Sequence, residues 1–246
     1  MQDPVDFPIS PFPPEVVYVW GGANDWPGFQ LAPAEQAVLG TDAAEKRREE
    51  FTRGRACAHE ALEQLSAQGG LLALGRTGGE TSPLAIPRQG RAPQWPQGVV
   101  GSITHSHGAA AAAVARAEDF LGIGLDLEPE SDALVRVASR ICRPEELTAL
   151  EGLPPDIQRG WLAVIFSIKE GVFKALNPAT GVYLGFQDAR IHHDAAPPGP
   201  EGKVRWELLK ECGLGLTAGT QGDGAYLRQE GWCLSAVWCV ARADSR

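Results

Sequence analysis

The segment Leu121-Gly122-Ile123-Gly124-Leu125-Asp126-Leu127-Glu128-Pro129 constrains this chain more than any other. Side chains on a strand alternate between faces, so Ile123, Leu125 and Leu127 are expected to enter a core. Gly122, Gly124, Asp126 and Glu128 then share the other face. Two carboxylates project side by side, two glycines clear space beside them, and Pro129 ends the strand. Like charges at neighbouring positions of one face repel unless a cation lies between them. A hard divalent ion with oxygen ligands, Mg2+ or Mn2+, resolves that conflict. A pair of solvated acids at a strand end is the plainer alternative.

A second segment, Phe166-Ser167-Ile168-Lys169-Glu170-Gly171-Val172-Phe173-Lys174, falls in a helix expected over residues 157–176 and stopped by Asn177-Pro178. Trp161, Val164, Ile165, Ile168, Val172 and Leu176 form one apolar face, and Phe166 and Phe173 a second patch. A helix apolar on both flanks is well buried, so Lys169, Glu170 and Lys174 need partners. A metal beside Glu170 and phosphates beside the lysines would supply them; an exposed Glu170/Lys174 pair is the alternative.

A third segment, Lys46 to Arg55, is locally basic, in a helix expected over residues 43–68 with Thr41 or Asp42 as N-cap. Arg48 and Arg55 share a face, with His59 one turn on, an arrangement that can grip an anion or merely solvate. The fourth is Gly101-Ser102-Ile103-Thr104-His105-Ser106-His107-Gly108, whose histidines can donate to phosphate oxygens. No G-x-S-x-G elbow accompanies Ser102 or Ser106. Gly122-x-Gly124 lacks the rest of a dinucleotide fingerprint. His192-His193-Asp194 reads as a loop cluster.

The remaining pattern is mixed. Strands are expected at 16–20, 99–104, 109–115, 204–209, 225–229 and 232–241, helices at 134–141 and 144–150, and an extended stretch at 182–192. The Pro-rich residues 1–15 cannot be helical. Gly- and Pro-broken residues 69–98, with 195–202 and 213–224, read as loops. The alanine run 109–115 has helical propensity, but its position between a Gly turn and another strand favours a hairpin.

With 246 residues, 43% of them hydrophobic, the chain is too apolar for wholesale disorder. A net charge of −9 argues against a generic nucleic-acid binder. No apolar run approaches the ~20 residues of a membrane span, and Met1-Gln2-Asp3-Pro4 does not read as a secretory signal. Five cysteines without a C-x-x-C pair disfavour a disulfide framework or a zinc site. A reducing cytoplasm is the expected location.

Four motifs, in order, resemble the 4′-phosphopantetheinyl transferase superfamily, in its Sfp-like, enterobactin-synthetase-component-D-like branch. Gly124-Leu125-Asp126-Leu127-Glu128 is similar to the family's G-I-D-x-E motif. Phe166-Ser167-x-Lys169-Glu170-x-x-x-Lys174 is similar to F/W-x-x-K-E-x-x-x-K. The run from Trp95-Pro96 through Gly101-Ser102-Ile103-Thr104-His105 resembles a third motif, and Arg48-x-x-Phe51 with Arg55-x-Cys57-Ala58 resembles the first basic helix. Tyr183-Leu184-Gly185-Phe186 resembles a segment after the second motif.

The resemblance implies an α+β fold in two pseudo-twofold halves, about 1–117 and 118–246 of a single module, with the active site between them. It implies transfer of 4′-phosphopantetheine from coenzyme A to a serine of an apo carrier protein, with release of 3′,5′-ADP. Carriers of polyketide, nonribosomal peptide, fatty acid or siderophore synthases are the implied partners, and a monomer the implied state. Asp126, Glu128 and Glu170 would hold Mg2+ or Mn2+. Glu170, or a metal-bound water, would take the serine proton, and Lys169 and Lys174 would stabilise phosphate charge. Arg48, Arg55, Arg88 and His105 are the candidates for the 3′-phosphate and adenosine end, with Arg91 beside Arg88 in a loosely matched loop. Two rivals stay open: an Mg2+-dependent nucleotidyl transferase or phosphohydrolase, and a non-catalytic coenzyme A-binding module.

Overall fold

The computed structural model describes residues 6–22, 24–39, 44–69, 85–90, 92–193 and 199–241. Strand β1 (Val17–Gly21) is followed by α1 (Pro33–Leu39) and the long helix α2 (Glu45–Ala67). A short hairpin, β2 (Arg88–Gln89) and β3 (Ala92–Pro93), precedes β4 (Val99–Ser106), β5 (Ala109–Arg116) and β6 (Phe120–Pro129). Helices α3 (Asp132–Ile141), α4 (Pro144–Thr148) and α5 (Pro155–Thr180) come next. The chain closes with β7 (Ala189–His193), β8 (Glu201–Leu208), β9 (Gln221–Gln229) and β10 (Trp232–Val240). One antiparallel sheet has the order β1-β5-β4, the other β6-β10-β9-β8-β7.

The two halves repeat one plan. β1, α2, β4 and β5 recur in order and pairing as β6, α5, β9 and β10, with β7 and β8 added to the second half. Even the closing turns match. His107 (φ 46°) with Gly108 (φ 88°), and Glu230 (φ 47°) with Gly231 (φ 80°), each put two successive residues at positive φ. That geometry twists a two-residue hairpin in the same sense as its strands.

Strand β5 explains the alanine run. Ala109, Ala111, Ala113 and Ala115 face the core between the halves, while Ala110, Ala112 and Val114 face α2. A strand covered on both sides at close range needs small side chains, and the burial outweighs alanine's helical propensity. Ile123, Leu125 and Leu127 of β6 enter the core between the halves, as their alternation predicted. Phe7, Phe12 and Val16 join them from the Pro-rich N-terminal segment.

The join is polar as well. The hydroxyls of Ser102 and Thr104 on β4 accept from the backbone N–H groups of Leu125 (3.0 Å) and Leu127 (3.1 Å) on β6. Those donors lie on the edge of β6 that no strand pairs, and two side chains of the other half satisfy them.

Several expectations need correction. The glycines of β6 do not clear room for a ligand: a Cβ on Gly122 would lie 2.0 Å from the Ala175 carbonyl oxygen, and one on Gly124 1.9 Å from that of Gly171. They let the α5 backbone rest directly on the strand. Helix α5 does not stop at Asn177-Pro178. So near the end, proline forfeits only its own bond to the preceding turn. The helix runs to Thr180, where Gly181 (φ 68°) caps it and donates to the Asn177 carbonyl at 2.8 Å. Helix α1 was unforeseen. Its signals are Pro33 in the first helical position and Glu35, which reaches back to accept from Ala32 N–H at 2.9 Å. Strands β8 and β9 also begin earlier than expected, within stretches read as loop. Thr41 and Asp42, the expected caps of α2, lie outside the described residues. Among the described residues no helix is long and apolar enough to cross a membrane, and all five cysteines are buried.

Candidate functional site

A cleft opens between the halves. One wall carries Phe51, Arg55, Arg88 and His105, and the other Phe173, Lys174, Asn177 and Pro178 of α5. Each charged group arrives for a local reason. Arg55 follows Phe51 by one helical turn, and its guanidinium lies 4.4 Å from the ring centre. Arg88 comes from the β2–β3 hairpin, and His105 from the open end of β4.

Arg55 is 3% exposed, yet its Nε and Nη2 find no hydrogen-bond acceptor. Burial pulls its pKa down to about 10; Glu35 opposes that shift, and Arg88 adds to it. His105 is likewise held below the ordinary histidine value, by burial first and then by Lys174, Arg88 and Arg55, against the pull of Glu50. These shifts report one fact: four cationic or potentially cationic groups crowd a common space. Crowding of like charge around unsatisfied donors suits a polyanionic ligand.

Lys174 joins this wall to the acids. Its ammonium donates to Asp126 Oδ1 at 2.7 Å and to the Leu125 carbonyl at 3.0 Å. Asp126 is 7% exposed, and its Oδ2 is buried without a partner. Glu128 is half-buried, and its carboxyl is pushed up to about 8 by burial and by the charges of Asp126 and Glu170, with Lys174 opposing. Glu170 lies in a smaller pocket lined by Phe173, Tyr183, Leu184 and Phe186. Among the described residues no three His, Cys, Asp or Glu side chains form a ready-made metal shell. The donor set nevertheless fits a divalent cation. The charges of Asp126 and Glu170 help to raise the Glu128 carboxyl, and one buried Asp126 oxygen lacks any partner.

Buried hydroxyls hold this end of the site in register. Ser167 Oγ lies 2.7 Å from Ser235 Oγ of β10 and donates to the Asp126 carbonyl at 3.3 Å. It occupies the unspecified position of the helix motif, so spacing could not single it out.

Other predicted residues lie elsewhere. Lys169 points into the protein: its Nζ donates to Glu146 Oε2 at 2.6 Å and to the Ile141 carbonyl at 2.9 Å. Its side chain is 1% exposed, so it offers no ammonium to a phosphate. Helical geometry turns neighbours about 100° apart, which sends Lys169 toward α4 and Glu170 outward. His59 bonds Glu35 at 2.9 Å. His107 occupies the hairpin turn, edge-on to Trp232. Arg48 is exposed on α2, on the same face as Phe51 and Arg55. Arg91 lies outside the described residues.

This is a two-halved α+β protein whose shared cleft joins a cationic wall to a cluster of acids. The N-terminal domain model of 4′-phosphopantetheinyl transferases matches residues 34–115. The 4′-phosphopantetheinyl transferase superfamily model matches residues 122–207. The chain is 34% identical over 221 residues to the 4′-phosphopantetheinyl transferase Npt of Nocardia iowensis, covering 83% of this chain and 87% of that protein. It is 32% identical over 186 residues to PptT of Mycobacterium tuberculosis, with 76% and 75% covered. To Svp of Streptomyces mobaraensis it is 41% identical over 175 residues; that match spans 70% of this chain and 65% of Svp. The chain belongs to the 4′-phosphopantetheinyl transferase superfamily.

Proposed function

We propose that this cleft transfers 4′-phosphopantetheine from coenzyme A to a serine hydroxyl of an apo carrier protein, releasing 3′,5′-ADP. The observation that carries this reading is Lys174. It reaches the anion-binding wall of the cleft while bonded to Asp126 at 2.7 Å, so a diphosphate bound there would meet the lysine and the acids together.

The roles follow from placement. Arg55, Arg88 and His105 hold the 3′-phosphate and adenosine end, with Arg48 exposed on the α2 face that carries Arg55. Lys174 accompanies the diphosphate and stabilises charge on the leaving phosphate. Asp126, Glu128 and Glu170 would hold Mg2+ or Mn2+, which withdraws charge from the diphosphate. Glu170 faces outward beside Phe173 and Tyr183, where a carrier serine can approach, and it accepts the serine proton. The serine oxygen then bonds to the phosphorus bearing pantetheine, and the bond from that phosphorus to the 3′,5′-ADP oxygen breaks. Lys169 buttresses the helix and takes no part at the phosphates.

The chain acts as one module, residues 1–117 gripping the coenzyme and 118–246 carrying the acids. Its polyketide, peptide-synthetase, fatty-acid or siderophore carriers, and its cytoplasmic, monomeric state, belong to the same reading. The test is carrier dependence. With coenzyme A, Mg2+ and an apo carrier, 3′,5′-ADP should appear in step with modified carrier. Release of 3′,5′-ADP without carrier would mark a phosphohydrolase instead, and binding without release a non-catalytic module.

A further inference from the structure

Among the described residues Glu35 is the most completely buried carboxylate outside the site, at 0% exposure, and the chemistry above does not use it. It is nevertheless engaged on every side. Oε2 accepts from Ala32 N–H at 2.9 Å. Oε1 accepts from Ile86 N–H at 2.9 Å and lies 2.9 Å from His59 Nε2. The same Oε1 is 3.8 Å from Arg55 Nε, which is one of the two unsatisfied guanidinium nitrogens.

These contacts span three separate stretches of chain. Ala32 immediately precedes α1, Arg55 and His59 lie on α2, and Ile86 lies two residues before Arg88. Two of the three stretches deliver the arginines of the anion-binding wall. Two backbone donors from different segments fix the carboxylate, so it cannot follow Arg55 if the guanidinium swings. It also sets a counter-charge beside a buried guanidinium.

We propose that Glu35 is a positioning residue for the coenzyme grip. It neutralises Arg55 on its Nε side and anchors the segment leading to Arg88, so that both arginines keep their places in the cleft wall that receives the 3′-phosphate of the substrate. The inference rests on the assignment of Arg55 to that phosphate.

The test compares equilibrium binding of coenzyme A and of dephospho-coenzyme A to the full chain and to its Arg55→Met and Glu35→Gln variants. A residue that merely supports the fold would weaken both ligands alike. The expected result is that both variants lose the preference for coenzyme A by roughly tenfold or more, with dephospho-coenzyme A binding weakened far less than coenzyme A binding. If Arg55→Met keeps the wild-type preference, the assignment of Arg55 is wrong. If Arg55→Met loses it and Glu35→Gln keeps it, the assignment stands and the positioning role is overturned.

Should Glu35→Gln fail to fold, hydrogen exchange on the wild-type chain decides. The amides of Ala32 and Ile86, which donate to Glu35, should exchange more slowly with coenzyme A bound than with dephospho-coenzyme A. Equal exchange in the two complexes overturns the proposal.

Discussion

Lys169 and Glu170 are adjacent in sequence and opposite in circumstance. Lys169 is sealed against Glu146, which also accepts from the backbone N–H groups of Arg143 and Ile191. Breaking such a pair strands a buried charge, so Lys169→Met should cost about 3–5 kcal/mol of stability. The double variant Lys169→Met/Glu146→Gln should recover most of that loss, and the Michaelis constant for coenzyme A should barely move in either. Urea denaturation and steady-state kinetics check both halves of this statement. Glu170→Ala, in contrast, should leave the melting temperature near wild type and lower turnover by a factor of about 10²–10⁴. The sequence placed the two residues on a buried helix and required partners for their charges. It could not name Glu146, which lies 23 positions away on a separate helix, because motif spacing carries no information about tertiary neighbours. The same limit hid Glu35, whose partner Ile86 is 51 positions distant.

At the scale of the element, α5 and β6 depend on each other. The helix carries Glu170 and Lys174, the strand carries Asp126 and Glu128, and their meeting requires the backbones to touch. Gly124→Ala would drive a methyl group into the Gly171 carbonyl, where 1.9 Å is available. A loss of about 3 kcal/mol is expected, with activity falling further than stability as α5 lifts the lysine from Asp126. Thermal melting and carrier modification of the folded fraction measure the two effects separately. Alternation in β6 and apolar periodicity in α5 made both elements legible in the sequence. The purpose of the glycines was not legible, since a missing side chain is compatible with a ligand or with a neighbouring helix. Pro178 was read as a stop because proline's local preference is strong. The described helix shows that preference yielding one turn before a glycine cap.

At the scale of the molecule, the cleft exists only while the halves stay joined, and the join rests partly on Ser102 and Thr104. Ser102→Ala with Thr104→Val leaves two buried N–H groups of β6 without acceptors, at about 1–3 kcal/mol each. Stability and coenzyme affinity should therefore fall together. The first half has its own pH signature. Burial raises the Glu35 carboxyl, but hydrogen bonds from His59, Ile86 and Ala32 outweigh it and hold the folded pKa below the ordinary value. A lowered folded pKa contributes stability above the unfolded value of about 4.3, and that contribution fades as pH falls through the folded value. The gap in melting temperature between wild type and Glu35→Gln should thus be full at neutral pH and shrink in acid. The motifs revealed the family and the acids, but how β4 of one half seals β6 of the other is a three-dimensional fact that neither strand states alone. The account stands or falls on Asp126, Glu128 and Glu170 acting on one bound diphosphate. The direct measurement is the intact mass of an apo carrier after incubation with coenzyme A, Mg2+ and either wild type or the folded Asp126→Ala variant. Wild type should add one phosphopantetheine to the carrier and Asp126→Ala almost none. Equal modification by both proteins would contradict the account.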